Sequence, residues 1–170
     1  MTTTERTEPS TTAGEREMLD GWLEFHRETL AAKCAGLDDA QLRTASAPPS
    51  DLSLLGLVRH MAEVERGWFR RVLSDDDSGW IYSTEEDRDG DFHPTAEDTF
   101  EEAHATWQAE IARARELAAP HDLDHVAPGR HHSGRTYNLR WIYVHMIEEY
   151  ARHNGHADLL RERIDGATGD

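Results

Sequence analysis

The stretch NLRWIYVHMIEEYARHNGHADLLRERIDG occupies residues 138–166 and contains no proline, which predicts one long helix. At about 100° per residue, four apolar side chains share one face of that helix: Ile142, Met146, Leu160 and Ile164. Glu149 and His153 lie in the middle of the same face, with His145 and His156 at its edge. An ionised carboxylate among core residues is costly unless something neutralises it, so Glu149 needs a partner.

Glu149 and His153 are four residues apart, so their side chains lie on adjacent turns and point the same way. A carboxylate and an imidazole at this spacing allow one helix to present two ligands to a divalent metal. The alternative is a buried polar cluster without metal, in which Glu149 pairs with a core arginine or with His153. A metal site requires at least one further ligand from another part of the chain.

A second amphipathic helix is predicted over residues 53–73, with Ser53 as its N-cap. Its core face consists of apolar residues: Leu54, Leu57, Met61, Val64, Trp68 and Val72. His60 lies at the border of that face and is the predicted third ligand. Glu63 and Glu65 point away from it and are predicted to be solvated, although Glu65 could still orient a ligand. Two histidines and one carboxylate leave a coordination position open, which is typical of catalytic sites.

Two further amphipathic helices are predicted, over residues 15–36 and 96–118. Each carries a histidine on its apolar face, His26 in the first helix and His104 in the second. A lone histidine in that position is usually a satisfied core residue, with the alternative that His104 points into a cavity shared with the other histidines. Cys34 is predicted to pack in the core, because no neighbour in the sequence marks it as an activated nucleophile.

The segments outside the helices differ in character. Residues 1–14 are mostly Thr, Ser, Glu and Pro, which predicts a disordered leader before one domain over residues 15–170. The acidic segment 74–94 is too long for a tight turn, and its aromatic residues are expected to fold back over the end of a helical bundle. Residues 119–137 are polar and predicted to form a solvated loop, after which Asn138 caps the last helix. That loop contains His121, His125, His131 and His132.

Composition excludes several classes of function. The formal net charge of -16 at pH 7 argues against nucleic-acid binding, which needs a basic surface, and disfavours anionic membranes. The single cysteine allows no internal disulfide and is consistent with a reducing cytosol. No long apolar run and no signal-peptide core are present, so the sequence predicts a cytoplasmic protein. No glycine-rich phosphate loop or nucleophile elbow is present either.

Three segments resemble the DinB/YfiT-like metalloprotein superfamily. Residues 54–69 resemble its second helix, and residues 139–162 resemble its last helix, whose motif is highly specific. Residues 165–169, DGATG, are similar to the tail found in one DinB subfamily of bacteria that use mycothiol. The resemblance covers essentially residues 15–169.

Many members of this superfamily use three histidines as metal ligands. Here the pair on the last helix is Glu149 and His153, which is similar to the pair in the mycothiol-dependent maleylpyruvate isomerase branch and in related thiol S-transferases. His60 matches the ligand on the second helix. The resemblance implies a divalent metal, commonly Zn²⁺, although the two imidazoles and one carboxylate suit Ni²⁺ and Fe²⁺ as well.

The resemblance also implies an all-α four-helix bundle with a long crossover connection between helices 2 and 3, often as a homodimer. Characterised relatives use mycothiol, bacillithiol or glutathione, so the implied function is metal-dependent activation of a small thiol, most simply mycothiol, for S-transfer to an electrophilic small molecule. The alternatives are a non-catalytic metal-binding bundle and a metal-assisted hydrolase or isomerase that uses the same ligands.

Three more residues of the last helix are candidates for catalysis. His145 and His156 are placed to orient a ligand or to transfer a proton. Arg152 lies within about 20° of His145 on the helical wheel and could meet an anionic thiol or substrate, with a surface salt bridge as the alternative. A fourth protein ligand, from His145, His156 or His26, would instead indicate a structural site.

Overall fold

The computed structural model describes residues 6–129, 131 and 133–169, and that part of the chain contains helices and no strand. The elements, in chain order, are α1 (Glu15–Cys34), α2 (Asp39–Leu42), α3 (Leu54–Glu65), a π-helix (Arg66–Leu73), α4 (Phe100–Ala118) and α5 (Leu139–Asp165). The prediction of an all-α fold is confirmed. The four long helices of that prediction are α1, α3 with the π-helix, α4 and α5, and the long connection between the second and third of them is residues 74–99.

Capping residues set the ends of α3 and α5 as the sequence predicts. The hydroxyl of Ser53 accepts a hydrogen bond from the Gly56 amide at 3.1 Å, and the side chain of Asn138 accepts one from the Trp141 amide at 2.9 Å. Gly166 ends α5 with a φ of 78°, a left-handed conformation that glycine adopts without strain. The long helix predicted over residues 138–166 is therefore confirmed.

The start of α4 differs from the prediction. The spacing of Thr95 and Asp98 resembles a capping box for the helix predicted over residues 96–118. The helix α4 instead begins at Phe100, and Thr99 caps it by accepting a hydrogen bond from the Glu102 amide at 3.3 Å. Asp98 does accept a hydrogen bond from the Thr95 amide, at 2.6 Å, but within a separate turn. Its carboxylate also pairs with Arg59 at 2.7 Å, a contact that local sequence does not reveal.

The helices belong to two compact units, one of residues 1–57 and 143–170 and one of residues 58–142. In the first unit, the Arg161 guanidinium donates to the carbonyl oxygens of Lys33 and Ala35 at the end of α1. The predicted leader also contacts α1, since the Thr7 amide donates to the Glu28 carboxylate at 2.8 Å.

In the second unit, α4 packs against the π-helix. The buried carboxylate of Glu110 forms salt bridges with Arg66 at 2.6 Å and with Arg70 at 2.9 Å. Two successive turns of the π-helix are therefore bound to one residue of α4. The loop after α4 returns to the π-helix, where the Gly129 amide donates to the Val72 carbonyl at 2.9 Å. Among the described residues, no helix is both long enough and apolar enough to span a membrane.

Candidate metal centre

Glu149 and His153 lie side by side on the buried face of α5. The Oε2 atom of Glu149 is 3.6 Å from Nε2 of His153, and the two side chains are 19% and 10% exposed. On the other side of the same carboxylate, Oε1 is 3.4 Å from Nε2 of His145. Met146 and Leu160 on this face are buried. The carboxylate therefore lies between two imidazoles on the apolar face that the periodicity predicts.

His156 extends this cluster by one turn of α5. Its Nδ1 atom is 3.3 Å from Nδ1 of His153, so one ring donates to the other. Burial, followed by the neighbouring His153 and Arg152, lowers the pKa of His156. The environment thus favours neutral His156, which can accept a hydrogen bond from Nδ1–H of His153 and leave Nε2 of His153 with its lone pair toward Glu149.

Arg152 lies on the exposed side of α5 and pairs with Glu148 four residues earlier. Its side chain is 58% exposed, so this contact is the surface salt bridge that the sequence left as an alternative. The same Glu148 is 3.5 Å from Nδ1 of His145. His145, Glu148 and Glu149 consequently form a second group of possible metal donors, at the border of the buried face.

His26 of α1 contacts α5 one residue beyond His153. The side-chain amide of Asn154 donates to the His26 carbonyl at 3.0 Å and lies 3.4 Å from the Nδ1 atom of the ring. Burial lowers the pKa of His26, which favours the neutral ring. His26 is half-buried, so it lies at the edge of the core rather than inside it as predicted. The role of Asn154 was not predicted, because nothing in the local sequence points to a residue on α1.

His60, the predicted third ligand, lies on α3 within the unit of residues 58–142. Its Nδ1 atom is 2.7 Å from Oδ2 of Asp91, which is buried, and its ring stacks on Phe92 with centroids 4.3 Å apart. The sequence predicts that aromatic residues of the acidic segment fold back, and Phe92 does so. The contact with Asp91 was missed, and its 31-residue separation leaves no local signal.

Glu63 and Glu65 of α3 are 3% and 0% exposed, so the prediction that they are solvated was wrong. The physical reason for Glu63 is the connection after the π-helix. Its Oε1 atom accepts hydrogen bonds from three successive backbone amides, at 2.8, 2.6 and 3.0 Å. Those amides belong to Ile81, Tyr82 and Ser83. Three amide donors offset part of the cost of burying the Glu63 carboxylate.

Cys34 is buried, in agreement with the packing role that the sequence predicts, and Tyr150 of α5 is buried as well. Burial raises the pKa of the Cys34 thiol to about 12, against the smaller opposing effect of Arg161, so the thiol remains protonated near neutral pH. His104 contacts the rings of Phe100 and Trp107, its neighbours along α4.

The histidine-rich segment contains two separate ring contacts. His121 and His125 stack with centroids 3.8 Å apart, and His131 stacks on Trp68 at 4.9 Å. His132 lies outside the described residues. Within the described part of this segment, no three donors come together as a possible metal group.

The fold and the α5 cluster define an all-α protein that carries histidine and carboxylate donors on its long C-terminal helix. A family model described as Mycothiol-S-transferase (MST) matches residues 18–166, and the chain belongs to this family. The structure is also similar to a solved one, described as the crystal structure of the conserved protein of locus from Enterococcus faecalis, with a TM-score of 0.61 and 15% identity. That match covers 92% of this chain and 100% of the other, and shows the fold alone. No curated protein matches the chain.

Proposed function

We propose that the protein is a divalent-metal-dependent mycothiol S-transferase. In this proposal it joins the sulfur of mycothiol to an electrophilic small molecule, in the cytoplasm and as a homodimer. The observation that carries the proposal is the Glu149–His153 pair on the buried face of α5 in a chain of the mycothiol-S-transferase family. Neither the pair of residues nor the family alone identifies an activity. One fold hosts many functions, and two donor residues without a third ligand bind metal weakly.

The proposed metal ligands are His60, Glu149 and His153, each of which offers one nitrogen or carboxylate oxygen. The two donors on α5 fit a common ion, because two ligands that each lie about 2.1 Å from a tetrahedral metal are about 3.4 Å apart. The observed separation of 3.6 Å is close to that value. Two imidazoles and a carboxylate suit Zn²⁺, with Ni²⁺ and Fe²⁺ as the other candidates.

When bound, the ion would act as a Lewis acid. It would lower the pKa of a thiol at an open coordination position toward neutrality. In S-transfer, the thiol loses its proton, its sulfur forms a bond to the electrophilic carbon, and the leaving group departs with its electron pair. The only cysteine is not the proposed nucleophile, because burial raises the pKa of the Cys34 thiol to about 12 and so favours its protonated form.

Two neighbours would hold the α5 ligands in place. His145 contacts Oε1 of Glu149, and His156 contacts the Nδ1 atom of His153. When the His153 ring is the donor in that contact, its lone pair is on Nε2, the nitrogen nearest Glu149. We propose these two histidines as orienting residues. Arg152 is proposed to contact an anionic thiol or substrate only after it leaves its exposed pair with Glu148.

The test is a direct activity assay on the full chain, purified without chelator. Mycothiol is mixed with monobromobimane or 1-chloro-2,4-dinitrobenzene, and the rate above the uncatalysed reaction is measured with metal present, after chelation, and after Zn²⁺ is restored. Rates that require both the metal and mycothiol are expected. Turnover of the electrophile without any thiol would favour a hydrolase or isomerase, and stoichiometric metal without any turnover would favour the non-catalytic alternative.

A further inference from the structure

We infer that Asp91 positions His60 as a metal ligand. The acidic connection of residues 74–99, which contains Asp91, therefore belongs to the proposed metal centre. This inference rests on the proposed role of His60. The Oδ2 atom of Asp91 is 2.7 Å from Nδ1 of His60, and Asp91 is buried. A short contact between a buried carboxylate and an imidazole is the arrangement that fixes metal-binding histidines in many proteins.

The contact decides which nitrogen of His60 carries the proton. An ionised carboxylate only accepts hydrogen bonds, so the Nδ1 atom of His60 must donate to Asp91. Neutral His60 then has its lone pair on Nε2, where a metal would bind. Without the carboxylate, the neutral ring would divide between two tautomers, and the tautomer with hydrogen on Nε2 cannot ligate through that atom.

Phe92 and Gly90, the neighbours of Asp91, hold the same contact in place. The Phe92 ring stacks on His60 at 4.3 Å with 23° between the planes, which limits rotation of the imidazole. The Gly90 carbonyl accepts a hydrogen bond from Arg59, the residue before His60, at 2.8 Å. Successive residues of the connection therefore bind successive residues of α3, and the imidazole cannot turn without breaking one of these contacts.

Two further anchors fix the connection on either side of Asp91. Before it, Glu63 accepts hydrogen bonds from the amides of residues 81–83. After it, Asp98 pairs with Arg59 at 2.7 Å, and the Arg59 guanidinium also lies over the ring of Tyr82 at 4.2 Å. Three residues of α3 thus hold the connection: Arg59, His60 and Glu63. A preorganised site needs such contacts around its ligands.

The experiment compares Asp91→Asn with Asp89→Asn. Both variants remove one negative charge from the same connection, but Asp89 is exposed, whereas Asp91 is buried and its carboxylate meets His60. The dissociation constant for Zn²⁺ is measured by competition with a chromophoric chelator. We expect Asp91→Asn to weaken Zn²⁺ binding by about 10- to 100-fold and Asp89→Asn to leave it within about twofold. Equal affinities in the two variants would overturn the inference.

A second measurement requires neither a variant nor a metal. In the metal-free native chain at pH 8, the ¹⁵N shifts of the His60 ring nitrogens report which nitrogen carries the proton. We expect a single tautomer protonated on Nδ1, and a mixture or the other tautomer in Asp91→Asn. A mixture in the native chain would contradict the role of Asp91. Failure of the native chain to bind Zn²⁺, with the tautomer as expected, would refute the proposed metal function instead.

Discussion

Two regions supply the proposed ligands, and they are built in opposite ways. On α5, the contacts of Glu149 with His145 and His153 are between residues one helical turn apart, so the helix itself sets the spacing. On α3, the orientation of His60 depends on Asp91, which is 31 residues away and held by a connection without regular structure. The first arrangement forms whenever the helix forms. The second requires that a long segment fold back and stay in place.

The difference has a consequence for stability. The α5 cluster should tolerate small changes in backbone and charge around it, because no long segment has to be ordered to make its contacts. The connection of residues 74–99 has lost chain entropy, and three side chains of α3 offset that cost: Arg59, His60 and Glu63. Substitutions that break these contacts should therefore weaken metal binding without altering any proposed ligand.

The largest expected effect comes from removing the carboxylate on α5. Glu149→Gln should abolish most Zn²⁺ binding, because a neutral amide replaces the proposed anionic ligand. Glu148→Gln is the matched control, since Glu148 is more exposed and pairs with Arg152. Zn²⁺ titration of both purified variants checks this prediction. Loss of binding in both variants would place the metal at the border group of His145, Glu148 and Glu149 instead.

A paired glycine substitution compares the two regions directly. Ala at Gly90 would place its Cβ 2.7 Å from the Tyr82 carbonyl oxygen and 3.2 Å from that of Asp87, so the backbone beside Asp91 must move. We expect Gly90→Ala to destabilise the fold by about 1–3 kcal/mol. Gly155 lies in α5 two residues after His153, with nothing within 4 Å of an added Cβ.

Gly155→Ala should therefore raise the unfolding free energy by roughly 0.5–1 kcal/mol, because alanine loses less conformational freedom than glycine in a helix. Urea unfolding of both variants, with Zn²⁺ affinity measured in parallel, checks the pair. If Gly90→Ala were as stable as the native chain and bound Zn²⁺ equally well, the connection would not need the geometry described for it.

A smaller, local effect is expected from Glu63→Gln. The neutral amide has weaker acceptor strength than the carboxylate for the amides of Ile81, Tyr82 and Ser83. A loss of about 1–3 kcal/mol in local stability corresponds to about 5- to 150-fold faster hydrogen exchange at those amides. Exchange in α5 should not change. Glu85→Gln, at an exposed position of the same connection, is the control, and equal exchange in both variants would contradict the anchoring role of Glu63.

The smallest effect on activity is expected from Cys34. Cys34→Ser should leave thiol transfer nearly intact, because the thiol of the cosubstrate is the proposed nucleophile and burial keeps the Cys34 thiol protonated. A rate that falls to background in a variant that still folds would make Cys34 catalytic.

Cys34 also gives a pH dependence with a defined sign. Its pKa is about 12 in the folded chain against 9.0 as its ordinary value, so above pH 9 the unfolded state holds fewer protons than the folded state. The protonated Cys34 thiol makes its full contribution to the unfolding free energy below pH 9. That free energy falls as the pH rises toward 12, by up to about 1.4 kcal/mol per pH unit. Comparing native unfolding with that of Cys34→Ala isolates this slope, and parallel curves would refute the buried environment.

Sequence patterns predict the helical half of the structure well. The proline-free apolar stripe of residues 138–166, the Asn138 and Ser53 caps and Gly166 all act over one or two turns, so their consequences are visible in the sequence. The same reasoning identifies His60 as a histidine at the edge of a core face. Apolar spacing alone does not distinguish the π-helix from an α-helix over residues 66–73, because both bury Trp68 and Val72.

The connection of residues 74–99 could not be predicted, because its contacts are distant in sequence. Asp87, Asp89 and Asp91 alternate along one acidic run, and only the folded chain distinguishes the one that meets His60. The burial of Glu63 and the pairing of Asp98 with Arg59 could not be predicted for the same reason. In each case, a side chain of α3 or the connection binds a group that local sequence does not place nearby.

The central claim is that His60, Glu149 and His153 hold one divalent metal ion. Elemental mass spectrometry of the native chain beside His60→Ala, both purified without chelator, tests this claim most directly. We predict about one divalent metal ion per native chain and nearly none in His60→Ala. Equal metal content in the two proteins, or no metal in the native chain after incubation with Zn²⁺, would contradict the claim.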